Sequence, residues 1–374
     1  MKFLHLADLH LGKRLNDFSF LEDQVRLLCQ VEEIARSERA DAVLIAGDVY
    51  QKASPQSEAM AAFDQFITRL KEMGLAVFVI SGNHDSAQRI SYFSSLLKNS
   101  GVYVSEAFDG HLQQVTLQDE HGELVVSLLP FLKPIQVRRF YPDEKIETYQ
   151  DAVQAVLRHS PVDTAKRNVL VCHQFITGAE TSDSEEKTVG GLDNIDAAVF
   201  ADFDYVALGH IHKPQKCTRD TLRYAGSLMK YSFSEVNQKK SVAVVEMGEK
   251  GETQVHTVPL NAPHDMRLVE GMLDEVMAMP YSEDYVWVTL RDELPPPDAR
   301  VTVSTVFPNM MKFSVVNSKT KTDIDVLARE AMENKSPEEL LSDFYRLQNN
   351  DCPPGPRHME ILRSLRKELE GEIR

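Results

Sequence analysis

Cysteine is scarce in this chain, and its four copies stand far apart. Cys29, Cys172, Cys217 and Cys352 form no CxxC pair, which excludes a thiolate metal cage and a disulfide-stapled scaffold. They read as free thiols of a reducing compartment. No apolar run approaches the ~18 residues that a membrane span needs. The opening MKFLHLADLH breaks its apolar residues with His5 and Asp8 and does not read as a signal peptide, so the expected location is the cytoplasm. Basic residues are in deficit: 41 Lys and Arg face 57 Asp and Glu, a formal net charge of −16. A chain this acidic does not coat nucleic acid by bulk charge; a phosphate partner must be met locally, by a metal site or a basic patch. No GxxxxGK[ST] loop is present, so no nucleotide is expected to bind to this chain. Internal repeats and low-complexity blocks are absent as well.

What is there is ordinary globular material, with 43% hydrophobic and 26% charged residues over 374 positions. That length suggests two or three domains at about 150 residues each. Strands are predicted at Phe3–Ala7, Ala42–Ala46, Ala76–Ile80, Val125–Leu129, Asn168–Cys172 and Tyr205–Leu208. Helical spacing falls at Leu21–Ala35 and Met60–Met73, and hairpin-type strands at Arg223–Ala225 and Val242–Glu246. Strand alternating with helix is the pattern of an α/β fold with parallel neighbours. From Asn261 the pattern changes: Leu268–Met279 reads as a helix, Tyr285–Leu290 as a strand, Asp298–Val306 as a helix and Met311–Val316 as a strand, together a small α/β module. From Ser336 it changes again, to two amphipathic helices around the break Asn350–Pro356. The expected domains are therefore 1–262, 263–335 and 336–374.

Five strands end in polar clusters. These are Asp8-Leu-His10, Gly47-Asp48, Gly82-Asn83-His84-Asp85, His173, and Gly209-His210-Ile-His212. Ligands gather at the carboxyl ends of strands in open α/β sheets, so the clusters should converge. Carboxylate, imidazole and amide donors without thiolate suit Mn²⁺, Fe²⁺ or Zn²⁺. Two such ions sharing a carboxylate clamp a phosphate and activate water at neutral pH. The glycines before Asp48, Asn83 and His210 are expected to allow sharp turns and the approach of a phosphate.

D-x-H, GD, GNHD, a lone His and GHxH, in this order, resemble the calcineurin-like metallophosphoesterase superfamily. The resemblance implies an α/β/β/α fold, a metallophosphoesterase β-sandwich flanked by helices. It also implies one metal on Asp8, His10, Asp48 and His212 and a second on Asp48, Asn83, His173 and His210, with Asp48 bridging. His84 would contact the phosphate and protonate the leaving oxygen. FDYVALGHIHKPQK and LRYAGSLMKYSFSEVNQKKSV further resemble the SbcD family of bacterial nuclease subunits. That resemblance implies two Mn²⁺, DNA as substrate, and double-strand exonuclease and single-strand or hairpin endonuclease activity in repair and recombination. It also implies a capping domain at 263–335, C-terminal helices that bind the coiled-coil ATPase SbcC, and a homodimer within a two-plus-two complex.

One departure stands out. Related phosphatases carry GDxxD, whose second Asp pairs with the GNH histidine; here the position is Gln51, which accepts a hydrogen bond but brings no charge. The phosphatase run GDxVDRG is also absent, which favours a nuclease. His5 is expected to be structural, Cys172 to point away from the metals, and His111, His121, His159, His256, His264 and His358 to be surface or core residues. Lys13, Arg14, Arg89, Arg138, Arg139, Lys213 and Lys216 are the basic residues that could meet DNA phosphates, and Lys13, Arg14, Arg89 and Lys213, within a few residues of the motifs, are the expected phosphate-tracking rim. The rival readings are a small-molecule or cyclic-nucleotide phosphodiesterase with the same metals, and an inactive scaffold for DNA or SbcC.

Overall fold

Short apolar runs become strands, and their alternation decides the layers. The computed structural model describes residues 1–185, 194–317 and 353–361, with residues 339, 342, 343, 345 and 346. In order come β1 (Lys2–Leu6), α1 (Leu21–Glu38), β2 (Ala42–Ala46), α2 (Ser57–Glu72), β3 (Ala76–Ile80), β4 (Val102–Val104), β5 (Gln113–Asp119) and β6 (Gly122–Leu129). They are followed by α3 (Tyr149–His159), β7 (Arg167–His173), β8 (Tyr205–Gly209), β9 (Leu222–Tyr224), β10 (Ser241–Met247) and β11 (Thr253–Pro259). One six-stranded sheet runs β11-β10-β1-β2-β3-β4; the other runs from a short strand at Gln215–Lys216 through β9-β8-β7-β6 to β5. The β1–β2, β2–β3, β6–β7 and β7–β8 pairs are parallel.

Successive residues of a strand face opposite ways. Phe3, Leu44, Phe78, Val126, Val171 and Ala207 meet between the two sheets. On the outer side of the first sheet, Leu4, Val43 and Ile45 pack against Leu27, Val31 and Phe66 of α1 and α2. On the outer side of the second, Leu170, Cys172 and Val206 pack against Val153 and Val156 of α3. The layers are helix, sheet, sheet, helix. Cys172 thus lies on the face opposite His173. His5, buried between the sheets, bridges them: Nδ1 lies 2.9 Å from Tyr205 Oη and Nε2 3.2 Å from the Leu208 carbonyl. Burial lowers its pKa to about 3, as suits a structural, neutral imidazole.

The small module is a three-stranded parallel sheet, β12 (Met266–Gly271), β13 (Tyr285–Leu290) and β14 (Met310–Val315), covered on one face by α4 (Leu273–Met277) and α5 (Ala299–Ser304). The helix expected over Leu268–Met279 is corrected. Its first part is β12, in parallel register with β13, and helix begins only after Gly271. Leu268, Val269, Leu273 and Val276 mimic helical spacing, but Gly271 interrupts it. The module leans on the two-sheet body through Tyr285, whose hydroxyl lies 3.1 Å from the Asp23 carboxylate, and through Asn16, whose side-chain amide donates to Met311 O at 3.0 Å. The helical pair expected over 336–374 lies largely outside the described residues. No described helix is long and apolar enough to cross a membrane.

Candidate metal centre

The strand-end loops are laced together before any side chain acts. Asp8 N–H donates to Gly47 O (3.1 Å), His10 N–H to Asp48 O (2.9 Å) and Leu11 N–H to Val49 O (2.9 Å). The Asp85 carboxylate then accepts from the backbone N–H groups of Val49 (3.1 Å), Tyr50 (3.0 Å) and Gly82 (3.0 Å), tying the GD loop to the GNHD loop. Asp8, His10, Asp48 and His210 all sit at positive φ, at 51°, 46°, 50° and 102°. Non-glycine residues adopt such angles only where surrounding contacts hold them, and they cluster at functional sites. A Cβ on Gly209 would stand 1.9 Å from Ala46 O, and one on Gly82 2.1 Å from Asp48 Oδ1. These two motif glycines therefore serve the close approach of one loop to another.

The side chains converge as two sets. His10 Nε2 and His212 Nε2 are 3.0 Å apart, and Asp8 joins them with its donor atom inside 4.8 Å. Asn83 Oδ1 is 3.0 Å from both His173 Nε2 and His210 Nδ1. Asp48 lies between the sets, with Oδ2 3.4 Å from His173 Nε2 and 3.6 Å from His10 Nε2. All seven residues of the expected ligand set are thus brought together. His84 joins them with Nε2 4.0 Å from Asp48 Oδ2, while its backbone N–H donates to Asp48 Oδ1 at 2.9 Å.

Partners outside the centre orient the rings. His173 Nδ1–H donates to Ala46 O at 2.8 Å, turning Nε2 toward Asp48 and Asn83. His212 Nδ1 faces Ser184 Oγ at 2.7 Å and Glu235 Oε1 at 3.4 Å. Lys240 Nζ donates to Glu235 Oε2 (2.6 Å) and to His212 O (2.8 Å), and Glu185 Oε1 accepts the His212 N–H at 2.9 Å. Glu235 and Lys240 were not legible in the sequence; FSEVNQKKS has no motif spacing, and only the fold carries it under His212. Asp85 was visible as the end of GNHD, but nothing in the sequence marked it as the tie between loops.

Burial drives the electrostatics. It raises Asp8 to about 6 and lowers His210 to about 3, with His173 adding to the latter. Burial also holds His10 well below its ordinary value. Burial opposes the charge on Asp48, but His173, His10 and His84 outweigh it and hold the carboxyl well below the usual range. Against the same burial, Asp48 raises His173 to about 9. His10 Nδ1 is buried with no hydrogen-bond partner among the described residues. Converging oxygen and imidazole lone pairs with no sulfur form a donor set that fits two divalent cations of the Mn, Fe or Zn class.

Gln51 meets His84 through its backbone. His84 Nδ1 lies 3.2 Å from the backbone carbonyl of Gln51, whereas Gln51 Oε1 is buried without a partner among the described residues. Any residue at 51 offers the same carbonyl. Of the basic residues singled out, Lys213 is paired with Glu180 and Lys216 with Asp220 (2.9 Å). Arg89 donates to Ser54 Oγ at 2.6 Å, and Lys13 sits over the Tyr231 ring at 5.1 Å.

Residues 1–214 match the calcineurin-like phosphoesterase family, and residues 262–349 match the family described as type 5 capsule protein repressor C-terminal domain. The chain is 31% identical over 357 residues to the SbcD subunit of the nuclease SbcCD from Staphylococcus epidermidis, covering 92% of this chain and 93% of that one. It is 31% identical over 353 residues to the protein of the same name from Staphylococcus saprophyticus, covering 92% of each. A solved dimetal phosphatase from Danio rerio aligns with a TM-score of 0.40 at 11% identity, over 69% of this chain and 98% of its own.

Proposed function

The chain belongs to the SbcD family of calcineurin-like phosphoesterases and is a hydrolytic nuclease, and on that premise we propose that it cleaves DNA phosphodiesters with two Mn²⁺ ions, as a double-strand exonuclease and a single-strand or hairpin endonuclease. The observation that carries this reading is the placement of Asp48 between two donor sets, 3.4 Å from His173 and 3.6 Å from His10. Asp8, His10, Asp48 and His212 would hold one ion, and Asp48, Asn83, His173 and His210 the other. When bound, such a pair supplies charge neutralisation at the phosphoryl oxygens and activation of the attacking water.

The chain's own residues do the rest. Positive-φ loops hold the donors in place before substrate arrives, so little reorganisation is left to the reaction. Gln51 O takes the Nδ1–H of His84, leaving Nε2 turned toward the centre, where it can give a proton to the departing sugar oxygen.

Residues 1–262 form the nuclease domain and 263–335 a cap that guides DNA. Residues 336–374 dock the SbcC ATPase, which supplies the ATP dependence. Exposed Tyr92, Phe93 and Leu96, just beyond GNHD, offer an apolar surface for a homodimer within a two-plus-two complex. The complex would serve DNA repair, recombination and replication in the cytoplasm. The test is cleavage of linear duplex and hairpin DNA with Mn²⁺, with and without SbcC and ATP. Removal of 336–374 should abolish co-purification with SbcC; retained affinity for SbcC would refute the docking assignment, and absence of DNA cleavage the nuclease one.

A further inference from the structure

Contiguous with the candidate centre through Gly82, Asn83 and Asp85 lies an open cavity of about 350 Å³. None of its other residues belongs to the motifs. Phe108, Phe131 and Phe140 line it, with Lys133, Gln136 and Arg139. The walls are fixed. Phe131 N–H donates to Ser81 O at 2.9 Å, and its ring stands edge-on to His173 with centroids 6.2 Å apart. Phe108 and Phe140 meet edge to face at 5.2 Å. Phe140 is nonetheless 42% exposed, and Gly110 leaves it room, since a Cβ there would sit 3.1 Å from its ring.

Lys133 and Arg139 are exposed, and neither makes an ion pair with another described residue. In a chain of net charge −16, two cations with no ion-pair partner among the described residues, beside an aromatic cavity next to a phosphodiester site, call for an anionic, flat-ringed ligand. The volume lies within the usual range for sites that bury a small molecule.

We propose that this cavity seats one unstacked nucleobase of the strand whose phosphodiester lies at the metal centre, with Lys133 and Arg139 on the flanking phosphate. The inference rests on the nuclease reading above and deepens it: the substrate next to the cut is a single strand, and duplex ends must fray to enter. Stacking on phenylalanine tolerates any base, so the seat selects for an unpaired base rather than for sequence. The cations track the backbone and make binding salt-dependent.

The experiment uses the full chain with Mn²⁺ and a single-stranded oligonucleotide. Phe140→Ala should raise KM about 5- to 150-fold, the range for loss of one base–aromatic contact, and Phe140→Trp should restore it. An abasic residue is then scanned along the oligonucleotide. At one position beside the cut it should cost the wild type the same factor while costing Phe140→Ala nothing further. Lys133→Ala with Arg139→Ala should reduce the salt slope of binding by about 0.7, the value for one neutralised single-strand phosphate. An unchanged KM for Phe140→Ala, or an abasic penalty that adds in full to that of the variant, would overturn the proposal. A wild-type chain that cuts no DNA at all would overturn the nuclease reading and this proposal with it.

Discussion

Glu235 is far from every motif, yet it is fully buried with His212 on one oxygen and Lys240 on the other. Glu235→Gln keeps the volume and removes the charge, and two consequences follow that can be measured apart. The first concerns His212. Its Nδ1 loses an anionic neighbour at 3.4 Å, and losing such a partner behind a metal-binding imidazole typically costs 10- to 100-fold in metal affinity, about 1.4–2.8 kcal/mol. The second concerns Lys240, which is 6% exposed. Breaking a buried ion pair by removing one partner costs about 3–5 kcal/mol. Lys240 keeps His212 O at 2.8 Å, Ser227 Oγ at 2.9 Å and Gln238 Oε1 at 2.7 Å, so the lower end, about 3 kcal/mol, is expected. Glu235→Gln with Lys240→Met removes both charges and should recover most of the stability but none of the metal affinity. Calorimetric Mn²⁺ titration reads the first effect, and thermal melting in chelator reads the second. Unchanged Mn²⁺ affinity in Glu235→Gln, or its full return in the double variant, would refute the view that Glu235 acts on the centre through His212.

Three further outcomes are expected. Asp48→Ala should lose both ions, whereas His212→Ala should weaken mainly one; metal counting on purified protein decides, and two ions retained by Asp48→Ala would sink the bridging assignment. At saturating Mn²⁺, His84→Ala should keep its metal and lose about 10²–10⁴-fold in kcat, while Gln51→Ala, which leaves the carbonyl in place, should cost only a few-fold. Asp119 is held well below the usual carboxylate range by its hydrogen bonds to Arg167, one of them 3.0 Å long. The folded state therefore binds fewer protons than the unfolded chain, and the stability is complete above about pH 4 and drains away as pH falls below it. Asp119→Asn should flatten the dependence of Tm on pH below about 4; an unchanged acid profile would contradict this.

The layered α/β body was legible because its strands are unbroken apolar runs such as AVLIA and AVFVI, which satisfy both faces of a buried sheet at once. The seven donors were legible for a related reason. Parallel strands of one sheet deliver their ends to one edge, so the clusters after β1, β2 and β3 gather, as do those after β7 and β8; the packing of the two sheets then brings the two groups together. The pattern failed at Leu268–Met279, where apolar residues fit two periods and only pairing with β13 selects the strand.

Other features had no signal along the chain at all. Gln51 stood out by its side chain, yet it is its carbonyl that meets His84, and a backbone contact leaves no mark on residue identity. Glu235 and Lys240 reach His212 from 23 and 28 positions away. The cavity beside Asn83 draws its aromatic rings from Phe108, Phe131 and Phe140, on separate segments. Residue type and local spacing determine what depends on one strand and its end. Which ring faces which ligand, and which carboxylate lies behind it, is decided when distant segments pack, because contact energies at those positions depend on distances that no spacing in sequence encodes.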